Sequence, residues 1–135
     1  MLPRVKSMVL ATAFAFAGIT AISSARAQND AATIEAGGRT FMRYCALCHG
    51  LDGTGDGPLT ESLQTAPPDL TLLAKRNEGK FPMERVKEII EKGGPKGHGM
   101  MAMLAWGKVF NEEMGSDSHA VIDQLAAYLE SLQER

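Results

Sequence analysis

One pentapeptide constrains this chain more than any other feature: Cys45-Ala46-Leu47-Cys48-His49, which holds both cysteines of the sequence. Two thiols three residues apart stand about one helical turn from each other, the separation that thioethers to neighbouring haem vinyl groups require. A histidine directly after the second thiol offers its imidazole to the iron from the same turn. The spacing is the c-type haem attachment sequence. Two other chemistries use closely spaced cysteines. A thioredoxin-type redox pair or vicinal disulfide wants a βαβ context that is missing here, and a zinc site wants at least one more soft ligand. The motif therefore predicts one covalently bound haem c, with Cys45 and Cys48 as its thioethers and His49 as an axial ligand. The second ring nitrogen of His49 then needs an acceptor that fixes its tautomer and orientation.

The N-terminus predicts where this chemistry takes place. Residues 1–27 contain Arg4, Lys6 and Arg26, no acidic residue, and an apolar run from Met8 to Ile22. Such a run is short for a bilayer span, and Ala25-Arg26-Ala27 is a small-x-small cleavage site, so the expectation is a signal peptide over 1–27 and a single domain over 28–135. Localisation in the periplasm follows, without stable membrane insertion after cleavage. Losing those three basic residues takes the formal net charge from −2 to −5. No basic stripe remains to displace phosphate counterions, which excludes a nucleic-acid binder. The domain keeps six aromatic residues, Phe41, Tyr44, Phe81, Trp106, Phe110 and Tyr128. That is a thin supply for its size, and a cofactor is expected to help fill the interior.

Hydrophobic periodicity predicts an all-α domain. A first helix from Ala31 onward carries Ile34, Phe41, Tyr44, Cys45 and Cys48 on one face, with Gly38 between Ile34 and Phe41. A last helix, opened by Ser116-Asp117-Ser118, carries Val121, Ile122, Leu125, Tyr128, Leu129 and Leu132. Gly38 lets these two helices cross closely, near Gly38 and Phe41. From Gly50 to Gly79, glycines and prolines interrupt any period for about thirty residues, which is unusual unless the loop wraps something. Leu59, Leu63, Leu70, Leu72 and Leu73 supply apolar contacts along it. A short helix then starts at Pro82, turns Val86, Ile89 and Ile90 inward, and stops at Gly93-Gly94-Pro95.

A haem held by one histidine has either a second protein ligand or an open face. Downstream donors are His98, Met100, Met101, Met103, Met114 and His119. A single methionine is most often an adaptable core filler. Three within 100–103, in a glycine-rich loop, point beyond packing. His98, between two glycines, and His119, in the first turn of the last helix, read as solvated side chains. Trp106 is expected either to give its N–H to a haem propionate or simply to pack.

Taken in order, Gly38, Phe41, the Cys45 to His49 motif, Gly57-Pro58, Met103-Leu104-Ala105-Trp106-Gly107 and Leu125-Ala126-Ala127-Tyr128-Leu129 resemble the class I monohaem cytochromes c of bacteria over residues 33–132. The resemblance implies a cytochrome c fold of three to five helices around one haem, with crossing N- and C-terminal helices. It implies Met103 as sixth ligand, in the place of the family's Met-Pro-x-Trp-Gly, with Leu104 where proline is usual. Met100, Met101, His98 or an open site are the alternatives. It also implies the carbonyl of Pro58 as acceptor for the proximal imidazole N–H, although Pro58, Pro67 and Pro68 can equally be loop-shaping residues.

The function so implied is a periplasmic electron carrier, a monomer and not an enzyme, meeting its redox donor and acceptor transiently. An acidic domain wants partners with a basic or neutral docking face. The alternative is a cytochrome subunit docked permanently to a dehydrogenase or oxidase complex. A ligand-binding or peroxidase-like haem with an open face is a third class, which a sixth ligand disfavours.

Overall fold

The computed structural model describes residues 17–94 and 103–134. The chain divides at Ala31 and Ala32 into two compact units. Among the described residues there are five α-helices and no strand: α1 (Ala17–Tyr44), α2 (Ala46–His49), α3 (Met83–Lys92), α4 (Trp106–Met114) and α5 (Ser118–Ser131). The all-α class is as expected. The first helix differs from expectation, because it starts before Ala31 and runs unbroken through Ala25-Arg26-Ala27.

The core of the second unit is where the apolar faces of α1, α3, α4 and α5 meet. Phe41, Val86, Ile90, Phe110, Ile122, Leu125, Ala126 and Leu129 are buried there, with Ala46 of α2 beside them. Val86 and Ile90 in α3, and Ile122, Leu125 or Ala126, and Leu129 in α5, recur at three or four residues, so one face of each of these helices is apolar. Helix α3 packs on α4 and α5, and Lys87 adds a tie by reaching Asp123 of α5 at 2.8 Å. Ile89, expected inward with its neighbours, is only half-buried.

Helices α1 and α5 do cross at the expected place, but the residue of closest approach is Gly37. A Cβ there would overlap the Gln124 carbonyl and stand 2.9 Å from Tyr128 Cβ. Gly38 instead faces the Tyr128 ring, whose Cε2 would be 3.1 Å from its Cβ. Phe41, one turn on, meets the same ring with centroids 5.3 Å apart. The glycine pair thus removes side-chain bulk where two backbones come together.

Helix α4 was not expected. Its apolar positions, Trp106, Val109 and Phe110, span little more than one turn, and Gly107 weakens the local helical signal. Tertiary contacts supply what the propensity lacks. Gly107 lies against α3, where a Cβ would be 2.9 Å from the Glu91 carbonyl oxygen. Ser118, buried at the start of α5, donates its hydroxyl to Asn111 Oδ1 at 2.8 Å and joins the two helices.

Candidate haem site

Helix α2 is one turn long, and a turn that short cannot satisfy its own last carbonyls. The glycine-rich segment that follows does so. Gly50 N–H donates to Ala46 C=O (2.9 Å), Leu59 N–H to Leu47 C=O (2.9 Å) and Gly55 N–H to His49 C=O (2.8 Å). The Thr60 hydroxyl donates to Cys48 C=O at 3.1 Å and is shared with Gly55 C=O at 3.0 Å. Every carbonyl of Ala46–His49 therefore has a partner, and the loop is a clamp around the attachment motif. Gly55 has φ +89°, and a Cβ on it would overlap the Pro67 carbonyl, so only glycine lets the 67–70 segment pass here. Leu70 N–H donating to Gly53 C=O at 2.7 Å fixes that segment along the loop.

Pro58 and Pro68 are both exposed. Pro68, carried over Gly55, is the residue whose backbone interacts with His49. Proline has no N–H, so the carbonyl is the interacting group and it favours the protonated ring. Burial outweighs it and holds the His49 pKa below the ordinary histidine value. Nδ1 itself is buried without completing a hydrogen bond to any described residue. A neutral, desolvated imidazole with an orphaned ring nitrogen suits a metal ligand better than a packing residue.

Cys45 and Cys48 are both half-buried and unpaired. Burial, then the proximity of Cys48, pushes the Cys45 thiol up to about 12. Such a thiol is neutral and a poor free nucleophile, unlike the activated cysteine of a redox pair. The donors fit a haem c: two free thiols one turn apart, a neutral imidazole after them, and flanking apolar side chains. Phe41, Leu70 and Trp106 belong to or pack against the core, and Leu72 is half-buried.

Met103 is half-buried and packs against the core cluster. Trp106, three residues on, stacks on Phe110 with centroids 5.7 Å apart and meets Tyr44 edge-on at 5.5 Å. That contact brings the start of α4 within one residue of Cys45. Tyr44 in turn donates its hydroxyl to Glu113 Oε2 at 2.6 Å, a link between α1 and α4 that had no sequence signal. His98, Met100 and Met101 lie outside the described residues. His119 is exposed on α5 and Met114 is exposed at the end of α4.

The family model described as Cytochrome c matches residues 34–133, most of the chain. The protein belongs to the cytochrome c family, whose fold and haem-binding electron-transfer role it shares. No individual curated protein and no solved structure gave a match. No described helix is long and apolar enough to cross a membrane.

Proposed function

We propose that the chain is an exported electron carrier with one haem c held by Cys45 and Cys48 and ligated by His49 and Met103. The observation that carries this reading is the buried, unpartnered Nδ1 of His49, directly after two free thiols, in a chain of this family. When bound, haem c supplies the one-electron Fe(II)/Fe(III) couple. Cys45 and Cys48 would anchor it, His49 would be the proximal ligand, and the carbonyl of Pro58 or Pro68 would complete the bond that its Nδ1 lacks and so orient the imidazole. Met103 fills the sixth position, where a thioether favours the ferrous state relative to a second histidine. Trp106 packs against Tyr44 and Phe110 and keeps water from that side. Residues 1–27 are the signal peptide, 28–135 the mature domain, and the periplasm its compartment. An acidic surface meets basic or neutral redox partners transiently.

Visible spectroscopy of the periplasmic protein tests the reading. Thioether attachment predicts that haem stays with the chain through acid-acetone extraction and that the ferric state shows a sulfur charge-transfer band. A chain without residues 1–27 should not acquire haem. Free extraction of the haem removes the covalent reading, and rapid carbon monoxide binding by the ferrous protein removes the six-coordinate one.

A further inference from the structure

The backbone of Met103 is gripped by the end of α3. Gly94 N–H donates to the Met103 carbonyl at 3.3 Å. A Cβ on Gly93 would lie 2.9 Å from the same oxygen, 3.3 Å from Ala105 N and 3.4 Å from Leu104 C. A Cβ on Gly94 would lie 3.3 Å from Met103 Cβ. Gly93 is itself fixed, since its N–H donates to Ile89 C=O at 2.9 Å and caps α3. Its φ is +87°, a conformation that an L side chain rarely adopts. Two residues earlier on α3, Glu91 receives Gly107, where a Cβ would be 2.8 Å from Glu91 Cγ. The segment 103–107 is thus seated on α3 at two points, both made by glycines.

Leu104 is 58% exposed, so its side chain is not what holds this segment. A proline there would confine Met103 to extended backbone angles. Leucine imposes no such limit, and the restraint has to come from elsewhere. We infer that Gly93 and Gly94 are the positioning residues for Met103: their bare backbones form a seat for its carbonyl and Cβ, which sets the direction of the thioether in place of a proline at 104. This rests on Met103 being the sixth ligand. The seat acts through Met103 and touches no cofactor. It also ties the ligand's position to the C-terminal end of α3, so a change in α3 packing is transmitted to the sixth ligand.

The test uses the full-length holoprotein and reads the ferric sulfur charge-transfer band and the rate of carbon monoxide binding to the ferrous form. Gly94→Ala, at a glycine without a positive φ, should weaken the band and speed carbon monoxide binding. Gly93→Ala should do so more strongly, by about tenfold or more, the factor that about 1.4 kcal/mol of lost restraint produces. Gly79→Ala is the matched control: it has φ +82° and nothing within 4 Å of an added Cβ, so it should cost stability and leave both readouts unchanged. Leu104→Pro added to Gly94→Ala should restore the band. If Gly93→Ala and Gly94→Ala keep the band and the slow carbon monoxide rate of the parent, or if Gly79→Ala changes them equally, the seat does not position Met103. If instead Met103→Ala keeps the sulfur band, the ligand assignment beneath the proposal fails, and that result is distinguishable from the first two.

Discussion

The histidine side and the methionine side of the proposed haem site are built in different ways. Around His49, hydrogen bonds between residues within fourteen positions of each other satisfy every carbonyl of α2, and the loop that does so follows directly in sequence. Around Met103, the holding contacts come from the end of α3 and the packing of α4, with glycines allowing close approach. The first region is closed by hydrogen bonds, the second by the close packing of backbones against a helix end. A turn closed by hydrogen bonds from its own loop keeps its shape while the rest of the domain fluctuates, whereas a residue seated on the end of a neighbouring helix follows that helix. The difference predicts that disturbances of the fold reach the sixth ligand before the fifth.

The largest effects should separate the two sides outright. His49→Ala should abolish low-spin haem altogether and leave little mature holoprotein, since no other imidazole in the described residues stands at the motif. Met103→Ala should retain covalent haem, lose the sulfur band, bind carbon monoxide rapidly and fall in reduction potential. Met100→Ala and Met101→Ala should retain the band. Equal damage from His49→Ala and Met103→Ala, measured as haem per chain, would break the comparison.

The next effect tests the close-packed half. Gly37→Ala pushes a methyl group into the Gln124 carbonyl at the α1–α5 crossing and should destabilise the holoprotein by roughly 2–4 kcal/mol. Gly38→Ala, which meets only the movable edge of the Tyr128 ring, should cost about 1 kcal/mol or less. Chemical denaturation followed by haem absorbance checks the order. The reverse order would put the closest approach at Gly38. Smaller again is Thr60→Val, which keeps the shape but removes the donor to Cys48 and Gly55 carbonyls, at a cost of about 1–3 kcal/mol for half-buried acceptors left unpaired. Because it acts on the histidine side alone, the sulfur band should persist until global unfolding.

The same division explains what could be read from the residues alone. The attachment motif, the apolar faces of the first and last helices and the α3 stop at Gly93 are local patterns, and each is visible as spacing. Helix α4 is not, because its two turns contain a glycine and are held by Glu91 and Ser118 across the fold. Pro58 was the expected acceptor because it stands closest after the motif. The Pro68 backbone also reaches His49, because Gly55 lets the 67–70 segment double back over the loop, a path that no periodicity records. The seat for Met103 was equally hidden. Gly93 and Gly94 read as a helix stop, and their second use appears only when the chain returns at 103.

The smallest predicted effect concerns Tyr44, which joins α1 to α4 through Glu113 and so links the two sides. The hydrogen bond to Glu113, aided by partial burial, raises the Tyr44 pKa above the ordinary tyrosine value, with Arg43 opposing. A group whose folded pKa is raised stabilises the fold while protonated and loses that contribution as pH rises through the folded value. The link is therefore intact at neutral pH and fails only in the alkaline range, above the usual tyrosine titration. Tyr44→Phe keeps the ring contacts to Trp106 and Phe110 and removes only the hydroxyl, so its denaturation midpoint at neutral pH should fall slightly, by less than that of Thr60→Val. The difference between Tyr44→Phe and the parent should shrink to nothing as pH passes through the Tyr44 titration. The sulfur band supplies the sharper reading: if α4 carries Met103 with it, the parent should lose the band at a higher pH than Tyr44→Phe does. Identical alkaline transitions in the two proteins would mean that α4 is held by Glu91 and Ser118 without help from α1.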